Sequence, residues 1–161
     1  MPGLCIRPAT EDDVPLILSF IRELAEFERL SHEVSATEAI LRQSLFGERW
    51  GVEVLIGCYG DEPASFALFF HNFSTFLGRP GIYLEDLYVK PEFRGRGIGR
   101  SLLARLAKLA KERNCGRLEW SVLDWNEPAI GLYTALGAVP MNDWTVYRVS
   151  GGALEKLAAG G

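Results

Sequence analysis

The sequence predicts a single α+β domain, a mixed and mostly antiparallel sheet flanked by helices, and three observations predict it. Apolar residues recur at helical spacing over 11–28 and again after Gly99. The stretch from 52 to 89 is instead rich in β-branched and aromatic residues broken by turn signals. Finally, 161 residues with no linker, repeat or low-complexity stretch fit one domain, 1–161, with a core over about 4–150 and a short C-terminal tail.

Leu4 to Arg7 reads as a first strand. Thr10-Glu11-Asp12-Asp13 supplies a capping hydroxyl and first-turn acids for a helix over 11–28, whose face is Val14, Ile17, Leu18, Ile21, Leu24 and Ala25. Ser35-Ala36-Thr37-Glu38 matches the S-x-x-E capping box, so a second helix follows and ends near Gly47. Strands over 52–59, 63–73 and 81–89, separated by Gly60-Asp61-Glu62 and Gly78-Arg79-Pro80-Gly81, form an antiparallel meander. After Gly99, Leu102, Leu103, Leu106, Leu109 and Ala110 line one helical face and Arg105, Lys108 and Lys111 the other; Asn114-Cys115-Gly116 stops that helix. A strand over 117–123, a helix over 127–136 closed by Gly137, and a last strand over 144–150 complete the order.

Composition narrows the function. The net charge of −4 divides unevenly: residues 1–93 hold 15 acids and 7 bases, residues 94–161 hold 6 acids and 10 bases. The basic second part lacks the aromatic interleaving of a nucleic-acid surface and the chain is acidic overall, so a small anionic ligand suits it better than nucleic acid. Cys5, Cys58 and Cys115 form no C-x-x-C pair and read as buried thiols, and His32 and His71 are too few and too far from them for a zinc site. No apolar run approaches the roughly 20 residues of a membrane span and no basic-then-apolar leader opens the chain. A cytoplasmic protein without membrane partners is expected.

Arg94-Gly95-Arg96-Gly97-Ile98-Gly99 lies between the strand ending at Val89 and the helix that follows. Glycines there let backbone N–H groups approach a ligand, the helix start adds partial positive charge, and two arginines flank the site, so a diphosphate is the natural guest. The spacing G-x-G-x-G departs from the dinucleotide fingerprint G-x-G-x-x-G, and no G-x-x-x-x-G-K-[ST] exists. Glu119, 20 residues past Gly99, keeps a nucleotide fold open, although 68 residues from Arg94 onward are short for two mononucleotide halves.

With Tyr83-Leu84-Glu85-Asp86-Leu87-Tyr88-Val89 ahead of it, Arg94-x-x-Gly97-x-Gly99 resembles the [QR]-x-x-G-x-[GA] signature of the GCN5-related N-acetyltransferase (GNAT) superfamily. Ile6-Arg7-Pro8-Ala9-Thr10, residues 21–28, Leu123-Asp124-Trp125-Asn126-Glu127 and Leu132-Tyr133-x-x-x-Gly137-Ala138 are similar to its diamine branch, the spermidine/spermine and thialysine acetyltransferases. The resemblance covers about residues 4–150 and implies a splayed strand pair beside a bulge near Leu87. It also implies an acetyl-CoA donor: Leu87, Tyr88 and Val89 line the pantetheine, Arg94 to Gly99 hold the pyrophosphate, and Asn126 meets the coenzyme arm from the other side. A homodimer, formed through the last strand, is implied as well.

The reaction the resemblance implies is acetyl transfer from acetyl-CoA to a primary amine of a small diamine, polyamine or lysine-like amino acid. An alkyl ammonium of pKa about 10.4 is less than about a thousandth neutral at pH 7, so a proton must leave before attack. In a regular strand Glu85 and Asp86 point to opposite faces, so only one looks toward a given channel. The resemblance favours Glu85 as the base acting through water, with simple cation binding as the other reading. Tyr133 matches the family tyrosine that protonates the leaving thiolate; otherwise it is a core aromatic on the 129, 133, 136 face. Phe27, Glu28, Glu85 and Asp86, with a wall of Glu119, Trp120 and Ser121, match the acceptor end. The stretch Val139-Pro140-Met141-Asn142-Asp143-Trp144 is shorter than the acidic stretch of mammalian diamine enzymes, which leaves lysine-like amines, short diamines and polyamines all open. Other acceptors, including protein amines, and a non-catalytic CoA-binding sensor stand as alternatives.

Overall fold

The computed structural model describes residues 3–48 and 51–160, which divide into two compact units, one through residue 123 and one from residue 124 onward. The first unit holds a five-stranded sheet in the order β1 (Leu4–Pro8), β2 (Glu53–Tyr59), β3 (Glu62–Ser74), β4 (Arg79–Val89) and β5 (Leu118–Trp120). Neighbours pair antiparallel from β1 through β4, and β5 runs parallel to β4. The meander follows from its short Gly-rich connections, whereas the parallel β5 requires the crossover that α3 (Ile98–Glu112) supplies.

Helix α1 (Val14–Phe27) begins after a single 3-10 turn at Glu11–Asp13, where the sequence pattern predicts one helix over 11–28. Its apolar stripe of Val14, Ile17, Leu18 and Phe20, with Leu41 of α2 (Glu38–Phe46), packs on one sheet face against Val54, Ile56, Phe66, Leu68 and Tyr88. The Phe20 and Phe66 rings stack with centroids 5.2 Å apart. Each such buried ring contributes up to about 3 kcal/mol. Arg7 ties β1 to the start of α1 through two bonds to Asp13, of 2.7 and 2.8 Å, which hold that carboxyl below its ordinary range. Helix α3 covers the opposite face with Ile98, Leu102, Leu103, Leu106 and Ala110.

Four local expectations change. The cap of α2 is Thr37 rather than Ser35: its Oγ1 accepts from Ile40 N at 3.2 Å, which leaves Glu38 as the first helical residue. The strand expected over 117–123 pairs only over β5, because its partner diverges beyond Trp120. In the second unit, which carries α4 (Glu127–Ala135) and α5 (Gly151–Ala158), residues 144–150 join no ladder. Helix α5 occupies what had been read as a tail; Gly151-Gly152 disguises a run of good helix formers from Ala153.

Candidate active site

Halfway along β4 the regular strand pattern stops. Leu68 pairs with Asp86 and Phe69 with Leu84, which leaves Glu85 as the extra residue of a β-bulge. Leu68 and Phe69 are adjacent on β3, so their partners Asp86 and Leu84 fall on opposite faces. Asp86 and Tyr88 therefore share the α1 side with Leu68 and Phe66, while Tyr83, paired with Phe70, lies on that side too. Strict alternation, which predicted opposed Glu85 and Asp86, does not hold through the bulge. The bulge itself sits at Glu85, two residues before Leu87.

The same register decides where the backbone of 85–89 points. Lys90 N donates to Ala64 O at 2.8 Å, continuing the ladder in which Asp86 and Tyr88 turn their backbone groups toward β3. Alternation turns the N–H groups of Leu87 and Val89 the other way. On that side the β4–β5 pairing runs only from Ile82 opposite Leu118 to Leu84 opposite Trp120, so both amides face the opening between diverging strands. Tyr88 offers this opening no backbone donor. Its ring is buried 6.2 Å from that of Phe20 and its hydroxyl donates to Glu23 Oε1 at 3.4 Å.

Beyond β4, a turn at Pro91–Phe93 leads to Arg94, whose Nε donates to Val89 O at 2.9 Å. Gly95 and Gly97 both have φ of 77°, a left-handed conformation that costs other residues about 1–2 kcal/mol, and α3 starts at Ile98. A side chain added at Gly95 would meet no atom within 4 Å, and one at Gly99 only Val89 Cγ2 at 3.8 Å. The backbone of this loop is therefore approachable, with the positive end of a 15-residue helix behind it. The Ile98 side chain is buried, so it can offer only its amide. Both guanidinium groups rest on aromatic rings: Arg94 over Phe27 at 4.9 Å and Tyr88 at 5.5 Å, Arg96 over Tyr59 at 4.9 Å and Phe93 at 5.6 Å. This cradle suits an anionic phosphate group met chiefly by backbone N–H donors.

The Arg94 contact brings the end of α1 beside this loop. Burial pushes the carboxyl of Glu28, the residue after Phe27, above its ordinary value. Asp86 is pushed up to about 6, first by burial and then by the charges of Glu85 and Glu28, which places it near two other expected acceptor-side carboxylates. On β5, Tyr83 pairs with Glu119 and Leu84 with Trp120, which puts Glu119 and Ser121 on the Tyr83 face and Trp120 on the other. Glu119 Oε1 accepts from Asn72 Nδ2 at 3.2 Å, and the Ser121 and Tyr83 hydroxyls are 2.7 Å apart. No local sequence signal gives Asn72 or Tyr83 a place beside Glu119 and Ser121; only the cross-strand register does.

In the second unit, Asn126 caps α4, its Oδ1 accepting from Ala129 N at 3.4 Å. Tyr133 is half-buried at mid-helix, in a stripe with Ala129, Ile130 and Leu136. Among the described residues no cluster of His, Cys, Asp and Glu could hold a metal ion, and no helix is long and apolar enough to cross a membrane.

Comparison with known proteins adds to this geometry. Residues 18–138 match the acetyltransferase (GNAT) family model. The thialysine N-epsilon-acetyltransferases of Bos taurus and Caenorhabditis elegans are each 40% identical to the chain, covering 98% of it and 99% of their own length. An L-ornithine N5-acetyltransferase of Arabidopsis thaliana is 32% identical over 94% of the chain and 86% of its own. Among solved structures, an integron cassette protein from the V. cholerae mobile metagenome superposes with a TM-score of 0.82 at 29% identity, covering 98% of this chain and 99% of that one.

Proposed function

The chain belongs to the acetyltransferase (GNAT) family and is an amine N-acetyltransferase, and from that premise we propose that it moves the acetyl group of acetyl-CoA to the terminal amine of a lysine-like amino acid or short diamine. The observation that carries the reading is the pairing of an open strand edge, at Leu87 and Val89, with carboxylates on the neighbouring bulge. The named acceptors of the relatives, thialysine and L-ornithine, are both amino acids with a side-chain amine, which supports this acceptor class.

Acetyl-CoA supplies an activated acetyl thioester when bound. The Leu87 and Val89 amides would hold its pantetheine arm, and the amides of Gly95, Arg96, Gly97, Ile98 and Gly99 its pyrophosphate, with the flanking arginines adding charge. Asn126 belongs to this set through the family likeness alone. Phe27, Glu28, Glu119 and Ser121 form the acceptor wall, where an aromatic face and carboxylates suit an alkyl ammonium. Trp120, on the other sheet face, is assigned to that wall through the likeness alone.

The proton of the acceptor ammonium passes to the Glu85–Asp86 pair, directly or through water. Asp86 is the member tuned toward neutrality, since a base works best with a pKa near the operating pH. Through the family likeness alone, Tyr133 is assigned the phenolic proton that the departing sulfur takes up.

Turnover measured across pH separates these roles. Asp86→Asn is expected to remove an acidic limb near pH 6 from kcat/KM, whereas Glu85→Gln is expected to raise the acceptor KM. The reverse pattern would make Glu85 the base, and an unmoved limb in both would leave the pair only a cation site. Tyr133→Phe is expected to keep acetyl-CoA affinity and lose most turnover, about 10²-fold or more.

The same reading includes a homodimer formed through residues 144–150. Trp144, Val146 and Tyr147 are 76%, 86% and 92% exposed, and a strand-like segment outside any ladder is suited to pair with a second copy. Sedimentation should give twice the chain mass, and Val146→Glu with Tyr147→Asp should return it to the monomer.

A further inference from the structure

Cys5 and Cys58 lie directly opposite each other on β1 and β2. The two flanking bonds, Gly60 N to Gly3 O and Ala9 N to Val54 O, fix the ladder phase and make this a hydrogen-bonded pair. Such pairs hold their Cα atoms about 5.5 Å apart, with both side chains on the same face. A disulfide needs Cα atoms roughly 4.4–6.8 Å apart, so the backbone already meets the requirement. Both thiols are free; Cys5 is exposed and Cys58 half-buried. The Arg7 guanidinium lies close enough to Cys58 to interact with its sulfur.

We propose that Cys5 and Cys58 are a dithiol site that closes reversibly to a cross-strand disulfide under a low-molecular-weight disulfide oxidant. The exposed Cys5 thiolate attacks one sulfur of oxidised glutathione, and the S–S bond breaks to release one glutathione thiolate, which takes up a proton. Cys58 then attacks the Cys5 sulfur, giving up its proton to solvent, and releases the second glutathione. Two protein thiols lose two protons and two electrons, and the oxidant gains them as two glutathione thiols. Ladder Cβ atoms stand about 4.5–5.5 Å apart against about 3.8 Å in a relaxed disulfide, so the bond forms slightly strained and is easily reduced. Cys115 precedes β5 at the far edge of the sheet and serves as an internal control.

The full chain is equilibrated with oxidised glutathione at low protein concentration, alkylated and mapped by mass spectrometry. The expected result is one linked peptide pair joining Cys5 to Cys58, an intact mass lower by two hydrogens before alkylation, and full alkylation of Cys115. Dithiothreitol should restore all three alkylatable thiols. Cys5→Ser should abolish the link and Cys115→Ser should leave it. Persistent alkylation of Cys5 and Cys58, a stable glutathione adduct on Cys5, or a link found only between chains would overturn the proposal.

Discussion

The two halves of β4 differ in how their backbone is used. Residues 79–84 end in a segment, Ile82 to Leu84, flanked by ladders on both sides, and their polar groups serve the sheet. Residues 85–89 keep β3 on one side and face the divergence from β5 on the other. The bulge at Glu85 separates the halves, and the contrast teaches that a ligand edge can be made inside a sheet by ending one pairing early rather than by adding a loop.

The largest test removes the boundary. Deletion of Glu85 leaves Leu84 and Asp86 adjacent opposite Phe69 and Leu68, so the ladder turns regular with the remaining side chains on their present faces; a cooperative melting transition is expected to persist while acetyl transfer falls about 10²-fold or more, as the bend and the Glu85 carboxylate are lost. Glu85→Ala keeps the residue count and should keep the fold. A deletion variant as active as Glu85→Ala would show that the bulge does not shape the site.

A smaller effect sharpens the second half alone. Asp86 holds its proton up to about pH 6 in the fold against 3.8 when unfolded, so between those values the folded chain binds more protons. Stability contributed by protonated Asp86 is therefore full below 3.8 and lost as pH rises through about 6, a cost of about 3 kcal/mol above that point. Asp86→Asn should stabilise the protein by this order above pH 6, with the gain vanishing toward pH 3.8 in denaturant titrations. The smallest effect belongs to the first half: Tyr83→Phe removes an exposed hydroxyl bond to Ser121, costs about 1 kcal/mol or less in the same titrations and leaves kcat/KM within about twofold.

The elements whose signals are local could be read directly. The stripes of α1 and α3, the glycines before Ile98 and the turns of the meander each lie within a short window and agree with the observed bounds within a few residues. The bulge is expected only through the resemblance, near Leu87; no local signal marks its place, because Glu85 is neither glycine nor proline and is extra only relative to β3. For the same reason Trp120 was grouped with Glu119 and Ser121, whereas its pairing with Leu84 places it on the other face. Apolar neighbours predict buried thiols, yet Cys5 is exposed because β1 is an edge strand. Residues 144–150 have a strand's composition, and composition does not say whether a partner strand is supplied.

The outward turn of Leu87 and Val89 has a spectroscopic corollary. In deuterated solvent their amides lack the protection that β3 gives Asp86 and Tyr88, so exchange along this stretch should run slow, fast, slow, fast. Occupation by a thioester arm would slow the two fast positions and erase that rhythm, making four consecutive residues a gauge of occupancy.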